Sequence, residues 1–441
     1  MKLDIKKTML IGFGFLAATI AWAVYNAYVP LLLNDYLPEH FTVIPNLVWL
    51  GKATAIGAIM TIDNIFGAVF QPIFGSVSDK TRTRYGRRMP FIMVGIPICA
   101  VAFFFIPYTT VLWALICVVV LFNFIMSIWR APVVALMPDL TPSRYRSQAN
   151  GIINFMGGVG TLIAFLVGGL LFNWGGMKYP FALGALVMVV ALVVLKIFIR
   201  EPMRPIEEPM ETPAVKNNKD KEQKPQLTEE QKRRKRKSLA AILIAILFWF
   251  MGYNAVETFF TLYVTSTFTN ASGALLSGGD ATLMLSVFSI AFLAFAIPAG
   301  FIGARVGRKK IILAGLAGIT ILFVIMFFVS DQKLLYILLT LGGLCWAAIN
   351  VNSLPMVVDM TGFSSLGKYT GYYYLFSFSA SIVSPILFGA LRDFMQTYHI
   401  LFIYSAIAFA VAFVSMLFIS KGDGEAKKYT REPLPAADLP D

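Results

Sequence analysis

Gly75-Ser-Val-Ser-Asp79-Lys-Thr-Arg-Thr-Arg84-Tyr-Gly86-Arg87-Arg88 stands between two long apolar stretches and places one carboxylate among a run of basic side chains. Gly75 permits close contact with a neighbouring helix. Asp79 falls at a helix end, where it can pair with arginines or with the N-terminus of an adjacent helix. Such a cluster can form in one conformation and break in another, which makes Gly75, Asp79, Arg84, Gly86, Arg87 and Arg88 a candidate gate. A weaker copy follows later in the chain as Gly300, Arg305, Gly307, Arg308 and Lys309, with Ala304 in the place of the aspartate. Arg305, Gly307 and Arg308 are its candidate gate residues.

Outward from this loop the chain is too apolar for water. It has 441 residues, 58% hydrophobic and 14% charged, where a soluble domain carries about 25% charged residues. A hydrocarbon core of about 30 Å needs roughly 20 apolar residues of helix. Runs that meet this requirement fall near 8–33, 53–78, 89–108, 111–137, 149–173, 180–199, 239–267, 281–303, 310–330, 333–357, 369–391 and 398–420. The expected fold is therefore an all-α membrane protein with twelve transmembrane helices. Lys and Arg alternate between the connecting loops, being dense around 80–88, 232–237 and 305–310 and sparse in the opposite set. Both termini are thus expected in the cytoplasm. The first run is too long for the core of a signal peptide and lacks a small-residue cleavage site, so it reads as a retained helix.

The net charge of +13 reads as a topology signal, because no aromatic and basic groove for nucleic acid accompanies it. Cys99, Cys117 and Cys345 lie inside apolar runs and imply packing, not a disulfide framework. His40 and His399 are too few for a zinc or haem site, and no nucleophile–base signature stands out. The chain therefore does not read as an enzyme, and neither metal nor organic cofactor is expected.

The two halves repeat each other. Tyr25-Asn26-Ala27 returns as Tyr253-Asn254-Ala255, and Asp139, Thr141, Gly151 and Gly169 return as Asp359, Thr361, Gly371 and Gly389 at a constant offset of 220. The organisation expected is a six-helix bundle over 1–200, a Pro-containing basic linker over 201–238, a second bundle over 239–420 and a cytoplasmic tail over 421–441. Parallel halves related by an axis along the membrane normal are the plan of the major facilitator fold.

The loop also resembles the signature of the major facilitator superfamily. The longer strings Gln71-Pro72-Ile-Phe-Gly75-Ser-Val-Ser-Asp79 and Arg84-Tyr-Gly86-Arg87-Arg88-Met-Pro90-Phe91 resemble the sucrose–proton symporters, within the glycoside–pentoside–hexuronide cation symporter group. Asp139-Leu-Thr and Ala149-Asn150-Gly151 are similar to the same branch. The resemblance implies proton-coupled symport of a sugar, a disaccharide or glucoside by preference, through alternating access in a plasma or inner membrane. The expected cargo is a small sugar, the expected surroundings are lipid, and the expected state is a monomer. The sequence departs from the group in two places. Melibiose-type members carry two carboxylates on the second helix for sodium; aligned on Pro72, those places hold Gly67 and Gln71, which favours protons over sodium. Arg130-Ala131 stands nine residues before Asp139, one helical turn more than in the sucrose symporters. An uncoupled facilitator or exporter of the same fold, and a non-transporting membrane sensor, remain as alternatives.

A charge at mid-bilayer costs about 2.5–3.5 kcal/mol on insertion scales, so it marks a site by default. Asp63, Arg130 and Glu257 are such charges. Asp63 and Glu257 are candidate proton carriers, and Arg130 a candidate sugar ligand and partner for their charge. Trp22, Tyr25, Asn26, Asn254, Asn350 and Asn352 complete the candidate substrate site, since aromatic faces stack on sugar rings and amides bond hydroxyls.

Overall fold

The computed structural model describes residues 4–44, 47, 50–142, 145–201, 229–360 and 366–420. The linker between 202 and 228, Thr361 and the tail 421–441 lie outside the described residues. The described residues form thirteen α-helices, in order α1 (Ile5–Tyr36), α2 (Lys52–Met60), α3 (Ile62–Lys80), α4 (Met89–Phe105), α5 (Leu112–Leu140), α6 (Arg146–Gly175), α7 (Lys178–Phe198), α8 (Glu229–Thr267), α9 (Gly278–Val306), α10 (Arg308–Phe327), α11 (Gln332–Asp359), α12 (Leu366–Met395) and α13 (Ile400–Leu417). Counting α2 and α3 together, twelve are long and apolar enough to cross a membrane.

Local chemistry fixes many of the ends. Asp4 caps α1 by accepting the Lys7 N–H, Asp331 caps α11, and Ser277 with Asp280 forms a reciprocal capping box on α9. Prolines inside α1, α3, α5, α9, α11 and α12 are carried without loss of the helix, as neighbours in a membrane bundle permit.

Two elements differ from the sequence expectation. The second span, expected as one helix, breaks at Thr61, whose hydroxyl bonds the Ala58 carbonyl. The break places Asp63 in the first turn of α3, where its Oδ1 accepts the Asn64 N–H and the helix N-terminus favours negative charge. No proline marks this break, and periodicity alone does not reveal it. The basic run 232–237, expected in the linker, is helical and continues α8 back to Glu229. Lys and Arg are good helix formers, and elongation from an existing helix avoids the cost of nucleation.

Helices α1–α7 form one bundle and α8–α13 the other. In the first, α1 packs on α5, α6 and α7; in the second, α8 packs on α12 and α13, and α11 on α9 and α10. The bundles meet along α1 with α8, α2 with α12, and α6 with α9.

The last two seams are wedge-shaped. Gly151, Gly158 and Gly169 lie seven and eleven residues apart and therefore share one face of α6. A methyl at Gly169 would press on the Gly279 carbonyl of α9, one at Gly158 would meet only the end of the Leu293 side chain, and one at Gly151 would meet nothing within 4 Å. On α12, a methyl at Gly389 would strike the Ala53 backbone, whereas Gly371, on the same face, again has nothing within 4 Å. Both seams are closed at the end away from the basic loops and splay toward the basic loops.

Candidate functional site

Between the bundles lies a cavity of about 350 Å³, within the range that holds small ligands. From α1, Thr19, Trp22 and Asn26 present one face to it; from α8, Phe250, Tyr253 and Glu257 do the same, the spacings of three and four that align side chains on a helix. Asn26 Nδ2 donates to Glu257 Oε1 across the bundles at 3.2 Å. Tyr253 stacks flat on Trp346, with ring centroids 4.4 Å apart and planes 6° apart. Asn350 lines the wall one helical turn beyond Trp346, and Thr161 and Ser289 add hydroxyls. Glu257 is the only charged side chain among the lining residues.

Arg130 is not on the cavity wall. Its guanidinium lies 3.6 Å over the Trp22 ring, a cation–π contact, so Trp22 stands between Arg130 and the cavity. Asp63 also lies off the wall, within electrostatic reach of both Arg130 and Glu257. Three candidates hold the scaffold instead. Tyr25 is buried against Phe122 and accepts a hydrogen bond from Asn123 Nδ2 at 3.2 Å. Asn254 turns back to the Phe250 carbonyl at 2.7 Å. Asn352 clamps α11 to α9 by donating to the Ala299 carbonyl at 3.1 Å. The repeated Tyr-Asn-Ala thus offers opposite members to the cavity: Asn26 from the first copy and Tyr253 from the second. Thr19, Trp346 and Ser289 were missed by sequence reasoning; the spacing of Trp346 four residues before Asn350 was the available signal.

The gate loop builds a compact network at the basic face. Arg87 Nη2 and Arg88 Nε both reach Asp139 Oδ2 at 2.9 Å, and Arg88 also pairs with Asp79. Arg88 Nη1 donates to Ser78 Oγ at 2.5 Å and to the Gly75 carbonyl at 3.2 Å. Burial opposes the charge on Arg88, but Asp139 and Asp79 outweigh it and hold the guanidinium above its ordinary value. Glu201, one residue past Arg200 at the end of α7, accepts the N–H groups of Arg88 at 2.8 Å and Met89 at 3.1 Å, satisfying donors at the start of α4 that the helix itself leaves open. Gly86 has a φ of +108° and packs against that same Glu201. Sequence reasoning missed Glu201, an isolated acid at a basic helix end. Arg84 is exposed and lies over the neighbouring Tyr85 ring.

In the second bundle, Lys309 Nζ donates to the carbonyls of Ile419 at 2.5 Å and Leu417 at 3.4 Å, at the C-terminal end of α13. Arg305 is exposed without a hydrogen-bond partner among the described residues, Arg308 opens α10, and Gly307 has a φ of +107°. Among the described residues no group of three or more His, Cys, Asp or Glu is placed to hold a metal ion.

Two bundles of membrane-length helices around a shared cavity are the plan of many transporters. The chain belongs to the Major Facilitator Superfamily, whose model matches residues 11–279 and 268–439. Over 176 residues, 40% of each chain, it is 27% identical to the class H tetracycline resistance protein of Pasteurella multocida. It is 23% identical over 340 residues to the multidrug resistance protein MdtG of Salmonella arizonae, covering 76% of this chain and 78% of the other. It is 28% identical over 225 residues to the human proton-associated sugar transporter A, covering 44% of this chain and 27% of the other. Among solved structures, the nucleoside transporter NupG superposes with a TM-score of 0.67 at 15% identity, over 94% of this chain and all of that one.

Proposed function

We propose that this chain is a proton-coupled sugar symporter working by alternating access, with the basic face in the cytoplasm of a plasma or inner membrane. The observation that carries the reading is the Asn26–Glu257 hydrogen bond, which ties the two bundles through the only carboxylate on the cavity wall. Charge on Glu257 strengthens that tie, because a charge-assisted hydrogen bond is about twice as strong as a neutral one. A proton on Glu257 loosens it, and a sugar hydroxyl competes for the same atoms. Trp22 and Trp346 supply flat apolar faces for a ring, while Asn350, Thr161 and Ser289 supply partners for hydroxyls. Asp63, within reach of Glu257 and Arg130, registers a change of charge on Glu257. Gly67 and Gln71 leave the second span without a carboxylate pair for sodium, which favours protons.

The test is uptake of labelled sucrose, maltose and monosaccharides into proteoliposomes with an imposed inward proton gradient. Gradient-driven accumulation that Glu257→Gln abolishes, while sugar exchange at equal concentrations persists, is the expected result. Accumulation unchanged by collapsing the gradient would overturn the coupling. A second reading has its own observation: six phenylalanines line the cavity around the lone Glu257, which suits extrusion of a lipophilic cation. Tetraphenylphosphonium binding lost in Glu257→Gln, with no sugar uptake, would put that reading in its place.

A further inference from the structure

The two seams on the face opposite the basic loops are fastened by residues at one repeat position. Asn173 ends α6 and Asp393 lies near the end of α12, separated by the same offset of 220 that relates Gly151 to Gly371. Each residue meets the N-terminus of a helix in the other bundle, and the chemistry differs. Helix α9 carries its own capping box, so Asn173 only adds to it, donating through Nδ2 to Asp280 Oδ1 at 2.8 Å and accepting from Ser277 Oγ at 2.6 Å. Helix α2 begins at Gly51 with no side-chain cap of its own. Its cap is supplied from the other bundle. Asp393, 3% exposed, accepts the N–H groups of Gly51 at 2.8 Å, Ala53 at 3.0 Å and Thr54 at 2.8 Å, and the Thr54 hydroxyl at 2.7 Å. Arg392 lies 3.3 Å from the same carboxylate.

We propose that Asp393 is the principal lock of the closed seam: a carboxylate of one bundle caps an otherwise uncapped helix of the other, so the bundles cannot part on that face without stripping α2 of its cap. Orphan N–H groups and the positive end of a helix both favour an anion there, and both are lost on separation. Parting of α6 from α9 leaves Ser277 and Asp280 still capping α9, so Asn173 is the lesser fastening. The lock depends on the fold and not on the identity of the cargo.

The experiment is a pulsed electron-spin distance measurement on full-length protein in lipid nanodiscs, with the native thiols replaced. Labels go at Trp113→Cys and Phe328→Cys, two side chains three-quarters exposed at that face, one in each bundle. Asp393→Asn should raise the ratio of separated to closed bundles about tenfold, the factor that 1.4 kcal/mol carries. Thr54→Val, which removes one donor from the opposite bundle, should act in the same direction by less, and serves if Asp393→Asn folds poorly. Asn173→Ala should shift the ratio less than Asp393→Asn. Distance distributions unchanged from the parent in both Asp393→Asn and Thr54→Val would overturn the lock. An Asn173→Ala shift equal to or larger than that of Asp393→Asn would overturn its primacy.

Discussion

In the first bundle Arg87 and Arg88 converge on Asp139, and Arg88 also holds Asp79, so the ends of α3, α4 and α5 are joined by charge. In the second bundle Lys309 holds the carbonyls of Leu417 and Ile419, joining α10 to α13 through the negative end of a helix. The loops are related in sequence, and the second adds a feature the first does not have: a cation set on the C-terminus of a neighbouring helix. The second loop also has Ala304 where the first has an aspartate. The lesson is that a repeated position can take up a partner, here the end of a neighbouring helix, that its counterpart Arg88 does not use.

The largest expected effect comes from removing the shared anion. Asp139→Asn would leave two guanidinium groups, with side chains 9% and 5% exposed, short of their main counter-charge. Breaking such a buried pair from one side costs about 3–5 kcal/mol. In Lys309→Ala, loss of the contact with the end of α13 should cost about 0.3–1 kcal/mol. Each bundle carries its own reporter: buried Cys99 sits in α4 and half-buried Cys345 in α11. In variants retaining one of these thiols, Asp139→Asn should accelerate modification of Cys99 strongly, and Lys309→Ala should accelerate that of Cys345 weakly. Equal accelerations would break the contrast. Because Arg88 is held above its ordinary value, the stability it contributes is fully present below the ordinary arginine range and is lost only as pH rises through the raised value. Cys99 protection should therefore show no Arg88-dependent loss between neutral pH and pH of about 10.

A sharper test uses the glycines. Gly86 and Gly307 share nearly the same φ, +108° and +107°, but a methyl at Gly86 would strike Glu201, whereas one at Gly307 would meet nothing within 4 Å. Both Ala substitutions incur the left-handed backbone penalty of about 1–2 kcal/mol. Gly86→Ala additionally displaces the carboxylate that caps α4, worth about 1 kcal/mol more. Gly86→Ala should therefore lower Tm further than Gly307→Ala, and the gap should vanish in a Glu201→Gly background, which removes every atom the new methyl would strike. A gap that survives there would remove Glu201 from the network.

Most of the architecture was legible because apolar length and charge alternation are properties of single segments. The spans near 89–108, 180–199 and 310–330 coincide closely with α4 and its terminal turn, α7 and α10, and the offset of 220 led to the paired seams. What escaped depends on contacts between segments distant in sequence. Glu201 looks like one more surface acid until α7 brings it under α4. Asp393 acquires its partners from residues more than three hundred positions away. The cavity was half legible: Trp22, Asn26, Glu257 and Asn350 line it, while Tyr25, Asn254 and Asn352 turn elsewhere. Helix rotation within the bundle decides such cases, and a tripeptide repeat does not encode it.

The smallest expected effects belong to Arg84 and Arg305, which the sequence motif ranks with the rest of the gate. Arg84 is exposed and lies over its neighbour Tyr85, and Arg305 is exposed without a hydrogen-bond partner among the described residues. Neither joins the network of its bundle in this conformation, in which both seams splay toward the basic face. Alanine at either position should change stability by no more than about 0.5 kcal/mol, as for surface sites away from special features. Protection of Cys99 in Arg84→Ala and of Cys345 in Arg305→Ala should match the parent. Any work these two side chains do must then fall in the conformation where the basic face closes, so their loss should alter transport turnover with no matching loss of Tm. A drop in Tm comparable with that of Asp139→Asn would mean that the motif acts as one unit in both bundles, and the contrast between them would fail.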